Sequence, residues 1–268
     1  MTHPLAGRRI VATRAEGQTE ELIALLRENG AIPIVFPTIG IAPLEDYTAL
    51  DAALGRLPAY DWVIFTSANG VRHVCERMQA RGLAPAALNA CKVAAIGPAT
   101  EALLRENGVA VDLRPDEYVA EAIVAALLER EEVAGGRFLL LRADVARAVL
   151  RDELTARGAS VDEVPVYRTV LGQPDPAAYA ALRRGIDALT FTSSSTVRNY
   201  CTLLGDDALP LATRAVVACI GPITARTARE RGLHVDVVAR EYTVRGLIAA
   251  LAEALDSRLP QTPGVDRP

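Results

Sequence analysis

Aromatic side chains are scarce in this chain of 268 residues, which has seven tyrosines, four phenylalanines and one tryptophan. Histidine is scarcer. His3, His73 and His234 lie far apart in the sequence, leaving little from which to build a His-rich metal site or a two-His relay. Four cysteines without a CxxC pair do not make a disulfide framework. Long apolar runs are also missing: Ala122 to Leu128 falls well short of the roughly 20 residues that a bilayer-spanning helix needs. The apolar stretch behind Arg8-Arg9 is only Ile10 to Ala12, too short for a signal peptide. Nor is there an excess of positive charge. With 29 Lys and Arg against 33 Asp and Glu the net charge is −4, which argues against nucleic-acid binding through bulk charge. What remains is a globular chain, half of it apolar, with material for about two domains. The expectation is a cytoplasmic protein with neither membrane nor nucleic acid among its partners.

A duplication organises the sequence. Arg9-Ile10-Val11-Ala12-Thr13-Arg14 reads as a short strand, followed by an amphipathic segment that ends Leu25-Leu26-Arg27-Glu28-Asn29-Gly30. At a shift of 128 the pattern returns as Phe138-Leu139-Leu140-Leu141-Arg142 and closes on Leu154-Thr155-Ala156-Arg157-Gly158. Gly30 and Gly158 stand where a helix ends in a left-handed residue, and extended segments follow to Pro37 and Pro165. A second module repeats too. Asp61-Trp62-Val63-Ile64-Phe65-Thr66-Ser67 matches Asp187-Ala188-Leu189-Thr190-Phe191-Thr192-Ser193 at a shift of 126. Ile96-Gly97-Pro98-Ala99-Thr100 matches Ile220-Gly221-Pro222-Ile223-Thr224 at a shift of 124, and from there about 14 of 32 aligned positions are identical.

Short apolar strands alternating with helices predict parallel sheets covered on both faces, so each half reads as a small, doubly wound α/β unit. Such folds take ligands beyond the C-terminal ends of their strands. Thr66-Ser67, Thr192-Ser193, Gly97-Pro98 and Gly221-Pro222 all lie on that edge. The Pro-rich, aperiodic end, 257–268, is expected to be a disordered tail.

Familiar catalytic signatures are missing: no P-loop, no GxGxxG after a strand, no GxSxG, no HExxH and no metal-spaced Cys/His cluster. Cys75, Cys201, Cys91 and Cys219 read as buried core residues, and Asp61 and Asp187 as turn residues. The Thr/Ser turns carry more information. A hydroxyl there caps the following helix or, with the helix N-terminus, meets an anion, which makes Thr66, Ser67, Asn69, Thr192, Ser193 and Ser194 candidate carboxylate or phosphate contacts. The Gly97 and Gly221 turns, with Thr100 and Thr224, look like the same device with proline in the first helical turn. Arg14 and Arg142 end equivalent strands, and each either holds a ligand carboxylate or forms a salt bridge. Symmetry sharpens the search, because a polar residue found in one copy only points to function. Tyr167 and Arg168 stand where the first copy has Ile39 and Gly40. The tyrosine is either a hydrogen-bond or proton donor or an aromatic plug at a junction. Tyr118 and Tyr242 recur in both copies, so they read as structural.

These blocks, together with Val166-Tyr167-Arg168-Thr169, resemble the uroporphyrinogen-III synthase family over about residues 8 to 255. A plain tandem duplication would put a boundary near Glu131 to Gly136. The resemblance implies instead two similar, doubly wound parallel-sheet domains of flavodoxin-like type, exchanging chain twice through a two-stranded linker, with the active site in the intervening cleft. Domain one would be 1–36 with 171–256, domain two 42–164, and the linker strands 37–41 and 165–170.

The activity implied is cofactor-free, metal-free cyclisation of hydroxymethylbilane to uroporphyrinogen III, with inversion of ring D and loss of water. Tyr167 matches the family's tyrosine, assisting departure of hydroxide, while Thr100, Ser193 and Thr224 match substrate-contact positions. The resemblance also implies a monomer that meets hydroxymethylbilane synthase transiently. Because the substrate carries eight carboxylates and the chain is net acidic, attraction must be local. That raises the stake on Arg14 and Arg142, and to a lesser degree on Arg72 and Arg198. The competing classes are a catalytically inactive two-lobed module binding a tetrapyrrole or small anion, and a flavin- or nucleotide-binding enzyme, which lacks a phosphate fingerprint.

Overall fold

The computed structural model describes residues 3–15, 19–117, 120–146 and 148–257. Its elements alternate as the sequence pattern requires. The first run is β1 (Arg9–Ala12), α1 (Glu20–Glu28), β2 (Ile32–Val35), β3 (Ile39–Ala42), α2 (Thr48–Leu54), β4 (Trp62–Phe65), α3 (Ala68–Ala80), β5 (Lys92–Ala95), α4 (Pro98–Glu106) and α5 (Ala120–Glu129). It continues with β6 (Arg137–Ala143), α6 (Val149–Ala156), β7 (Ser160–Leu171), α7 (Pro176–Arg183), β8 (Ala188–Phe191) and α8 (Ser194–Leu204). The last elements are α9 (Ala208–Ala212), β9 (Val216–Cys219), α10 (Pro222–Glu230), β10 (Val237–Val238) and α11 (Val244–Ser257).

The chain divides into two compact units, Met1–Ile41 with Val170–Pro268, and Ala42–Thr169. Pro37–Ile41 therefore stay with unit one and Pro165–Thr169 with unit two, and Glu131–Gly136 lies inside unit two, ahead of β6. Of the tail expected at 257–268, Ser257 closes α11; 258–268 lie outside the described residues, as does Tyr118.

There are two five-stranded sheets, ordered β10-β9-β8-β1-β2 in unit one and β3-β7-β6-β4-β5 on unit two, the edge strand β3 of the second belonging to unit one as far as Ile41. All the pairs of the first sheet are parallel, as are β7-β6, β6-β4 and β4-β5 of the second. In unit one the order is the 2-1-3-4-5 winding of flavodoxin-like folds. Unit two has the same order once its two modules are exchanged in the chain: the strand-helix-strand module that opens unit one (β1-α1-β2) closes unit two (β6-α6-β7), and Leu113, bridged to Ala94, takes the fifth place. In both, the winding reverses beside the first strand of that module, between β1 and β8 or between β6 and β4.

Central strands are buried on both faces, which is why β4 and β9 read as unbroken apolar runs rather than alternating ones, and why Thr190, the one polar residue of β8, is buried too. In unit one, Val11, Leu189 and Val217 face α7, α8 and α10, whereas Ile10, Ala188 and Val216 face α1 and α11. Burying each such Val, Leu or Ile contributes about 1.5–3 kcal/mol. The aspartates that precede these strands pin the N-terminal edges. Asp187 accepts from the backbone N–H of Arg9 at 2.8 Å and Asp61 from that of Arg137 at 2.7 Å, the same bond at equivalent places. Asp112 and Asp236 do likewise for Val93 and Val217.

The chain passes between units in β3 and β7, which pair with each other. Their contacts run in opposite senses: Gly172 N–H donates to the Thr38 carbonyl at 2.9 Å, and Arg168 Nε to that of Pro43 at 3.2 Å. A Cβ on Gly172 would lie 2.0 Å from the Pro37 oxygen, so only glycine allows this approach.

Candidate functional site

The turns beyond the C-terminal strand ends bring the expected residues together within each unit. In unit two, α3 starts at β4's end. Ser67 caps it, its Oγ accepting from Gly70 N–H at 3.1 Å. A register shift between Arg142 and Ala143 lets Ala143 stand opposite Tyr167 on β7; such irregularities re-aim a side chain. The ring of Tyr167 is buried, 7% exposed, and its hydroxyl lies 3.4 Å from Ser67 Oγ. His73, one and a half turns along α3, stacks on that ring with centroids 5.4 Å apart and planes 30° apart. Burial pushes the His73 pKa below the usual histidine value; Glu76 partly opposes this, and Arg72 adds to it.

Arg142 forms a salt bridge, the alternative to ligand contact at its strand end. It is 7% exposed, and Nη1 lies 2.9 Å from Glu163 Oε1 on β7. Arg151 holds the other oxygen of Glu163 at 3.2 Å. Arg168 is also structural in its contacts, bonded to Pro43 and ion-paired with Glu45 at 2.6 Å. Arg72 and Arg198 are exposed on their helices, and Arg72 is bonded to Asn69, which removes Asn69 Oδ1 from ligand duty.

In unit one, Ser193 caps α8 with a reciprocal box: its Oγ accepts from Thr196 N–H while Thr196 Oγ1 accepts from Ser193 N–H. Ser194 is joined to Thr227 of α10 at 2.8 Å. Thr13, Thr38 and Thr190 are fully buried, and each hydroxyl donates to a carbonyl of the neighbouring chain at 2.7–2.8 Å. Arg14 is different. Half-buried, it makes no hydrogen bond or ion pair among the described residues, and burial pushes its pKa down against only a partial offset from Glu21.

The Gly-Pro turns are the second kind of helix start. Pro98 and Pro222 occupy the first helical position of α4 and α10, and neither helix has a side-chain cap. Among the described residues the N–H groups of Ala99, Thr100, Ile223 and Thr224 have no acceptor, so they point a partial positive charge beyond the strand ends. Gly97 sits at φ +87, which demands glycine; Gly221 is extended. Thr100 and Thr224 are buried, and neither hydroxyl caps its helix. Thr66 and Thr192 are partly exposed at the ends of β4 and β8, with no side-chain hydrogen bond among the described residues.

Two placements depart from the sequence reading. Tyr242, structural by its recurrence, is 66% exposed, with its ring against Gly221. His73, one of three scattered histidines, touches Tyr167. Cys75 and Cys219 are buried as expected, and burial raises their pKa to about 11 and about 12, whereas Cys91 and Cys201 are only partly buried. No group of three His, Cys, Asp or Glu able to hold a metal ion occurs among the described residues, and no described helix is long and apolar enough to cross a membrane.

Two flavodoxin-like units from one duplication, presenting capped and uncapped helix starts beyond their strand ends, define the class: a duplicated, doubly wound α/β protein, of the kind that takes ligands at its switch points. Comparison with known proteins makes this particular. Residues 20–249 match the family described as uroporphyrinogen-III synthase HemD. The uroporphyrinogen-III synthase of Synechococcus elongatus is 36% identical over 93% of this chain and 96% of its own. Among solved structures, the Helicobacter pylori enzyme superposes with TM-score 0.60 at 18% identity, over 94% of this chain and all of that one. A variant of the Thermus thermophilus enzyme gives 0.56 at 23%, with the same coverage. The chain belongs to the uroporphyrinogen-III synthase family.

Proposed function

We propose that this chain converts hydroxymethylbilane into uroporphyrinogen III and water, with Tyr167 as the catalytic acid. The hydroxyl of Tyr167 donates a proton to the hydroxymethyl oxygen on ring A as the C–O bond breaks, and the oxygen leaves as water with the bonding pair. Ring A is left as an azafulvenium cation. The substituted α-carbon of ring D adds to it, giving a spiro intermediate. Cleavage of the older bond and closure at the other α-carbon invert ring D, and the proton expelled from that carbon restores the pyrrole and, in net terms, the tyrosine. No strong acid or nucleophile is required, because the step that distinguishes isomer III from spontaneous isomer I is orientation.

Arg14 is the proposed carboxylate anchor. A half-buried guanidinium with no protein partner among the described residues forms a charge-assisted pair with a ligand at little cost to the fold. The uncapped starts of α4 and α10 supply backbone donors for further carboxylates. The observation that carries the reading is Tyr167 itself, a buried one-copy hydroxyl that faces a capped helix start at the switch point of unit two. A coupled assay with freshly generated hydroxymethylbilane, followed by oxidation and separation of porphyrin isomers, tests it. Isomer III is expected against isomer I in the protein-free control. Isomer I alone from folded protein would transfer the assignment to a binding module.

A further inference from the structure

The two copies differ together at one place. Where unit two has Tyr167 and His73, the equivalent positions of unit one hold Ile39 and Asn199. Both polar differences meet in one contact, the 5.4 Å stack of imidazole on phenol. In unit one the residue at the histidine's place serves the backbone, since Asn199 Nδ2 donates to the Thr38 carbonyl at 2.9 Å. Among the described residues His73 makes no such bond, and its Nδ1 lies 3.7 Å from Oε2 of Glu76. Among the described residues, then, this imidazole makes no structural hydrogen bond and is set against the ring that carries the proposed acid.

We propose that His73 is a positioning residue for Tyr167, its neutral imidazole holding the phenol so that the hydroxyl stays beside Ser67. The inference rests on the reading of Tyr167 as the catalytic acid. A ring on a strand turns about its side-chain bonds unless both faces are packed, and a misplacement of about 1 Å can cost a hundredfold in rate. Neutrality matters as well as shape. Loss of water leaves a cation on ring A, and an imidazolium against the tyrosine would oppose that charge.

For His73, charged and titratable groups lie on its own helix and on the elements packed against that helix. Arg72 and Glu76 lie on its own helix, and Tyr167 comes from β7. The helix α4, packed on α3, carries Glu101, held by Arg105 and Arg114. From β6 comes Arg142, paired with Glu163. Burial keeps the imidazole neutral at pH 7, and the activity dependent on it is lost as the pH falls through its lowered pKa.

The test compares His73→Ala, His73→Phe and the unaltered chain for rate, KM and isomer ratio between pH 5 and 8.5. His73→Phe keeps a flat ring on Tyr167 but cannot titrate. It is expected within about threefold of the unaltered kcat at pH 8, and its activity should persist on the acid side where that of the unaltered chain declines. His73→Ala is expected to lose about tenfold in kcat with KM little changed. An unchanged kcat in His73→Ala, or a His73→Phe profile that declines in acid as the unaltered chain does, overturns the proposal. If His73→Ala does not fold, the profile of His73→Phe decides alone. Isomer I alone from the unaltered chain would overturn the functional reading, and this inference with it; isomer III with an unmoved profile overturns this inference alone.

Discussion

Arg14 and Arg142 occupy the same place in two copies of one module, and their surroundings have opposite character. In unit two, Leu140 stands opposite Glu163, which takes the guanidinium of Arg142. In unit one, Ala12 stands in the same register opposite Val35, which has no charge to offer Arg14. The inversion extends to the strand ends. The buried hydroxyls Thr13, Thr38 and Thr190 of unit one correspond to Leu141, Val166 and Ile64 in unit two, while Tyr167 and His73 correspond to Ile39 and Asn199. Duplication preserved the frame, including the aspartates at the N-terminal edges and the Thr-Ser and Gly-Pro turns, while the side chains named here diverged beside those turns. In unit one the threonines are locked into the backbone and the arginine has no hydrogen-bond or ion-pair partner among the described residues; in unit two the arginine is locked, and among the described residues the tyrosine hydroxyl meets Ser67 alone. Among the described residues the copies thus differ in which of these two groups is uncommitted, an anion receiver in one and a proton donor in the other.

The largest effect is expected at the uncommitted group of unit two. Tyr167→Phe removes one oxygen whose only described protein neighbour is Ser67 Oγ at 3.4 Å. The rate of isomer III formation should fall about a hundredfold, in the range of a lost general acid, with the melting temperature unchanged. Full activity in a folded Tyr167→Phe protein would remove the tyrosine from the mechanism.

Next in size is the pair that should respond with opposite signs. Arg142→Leu strands the buried side of Glu163, although Arg151 keeps its other oxygen. A loss of about 2 kcal/mol in urea unfolding is expected, below the range for a fully buried pair. Arg14→Leu removes a half-buried charge without a described partner, so stability should hold or rise while substrate KM increases about tenfold, as for one charge-assisted hydrogen bond. Val35→Glu sharpens the comparison further, because it gives unit one the acid that unit two already has. It should raise KM as Arg14→Leu does with Arg14 still in place. If Arg14→Leu leaves KM alone, the unpaired arginine is not the anchor.

Much of this is legible in the sequence, and unevenly so. The repeat modules, the strand-helix alternation and the turns at the strand ends follow from apolar spacing and from Gly, Pro and Ser at fixed offsets, because local chemistry dictates them. The fate of each arginine is not legible. Glu163 lies 21 residues from Arg142, and only the parallel pairing of β6 with β7 brings the two together. An isolated histidine such as His73 suggests nothing alone, yet the symmetry test that singles out Tyr167 also separates His73 from Asn199. Tyr242 misleads in the other direction, since recurrence in both copies implies a structural residue and its ring is largely exposed. Sequence symmetry reports what the copies share, whereas exposure and pairing depend on the strand opposite.

The smallest expected effect separates the two serine caps. Both Ser67 and Ser193 accept from an N–H in the first turn of their helices, at 3.1 and 3.2 Å. Only Ser193 has the return bond, from its own N–H to Thr196 Oγ1 at 3.3 Å. Removing either hydroxyl loses one cap bond, about 1 kcal/mol. In Ser193→Ala the Thr196 side chain can still satisfy the backbone at the helix start, so the loss should lie at the lower end of that range and catalysis should hardly change. Ser67→Ala has no such reserve, and it also removes the one hydrogen-bonding group that lies beside the Tyr167 hydroxyl among the described residues. Its stability loss should be at least as large, accompanied by a fall in kcat of a few fold. Equal kinetic effects at the two caps would mean that the serines serve only their helices, and that the tyrosine hydroxyl is oriented by its ring contacts alone.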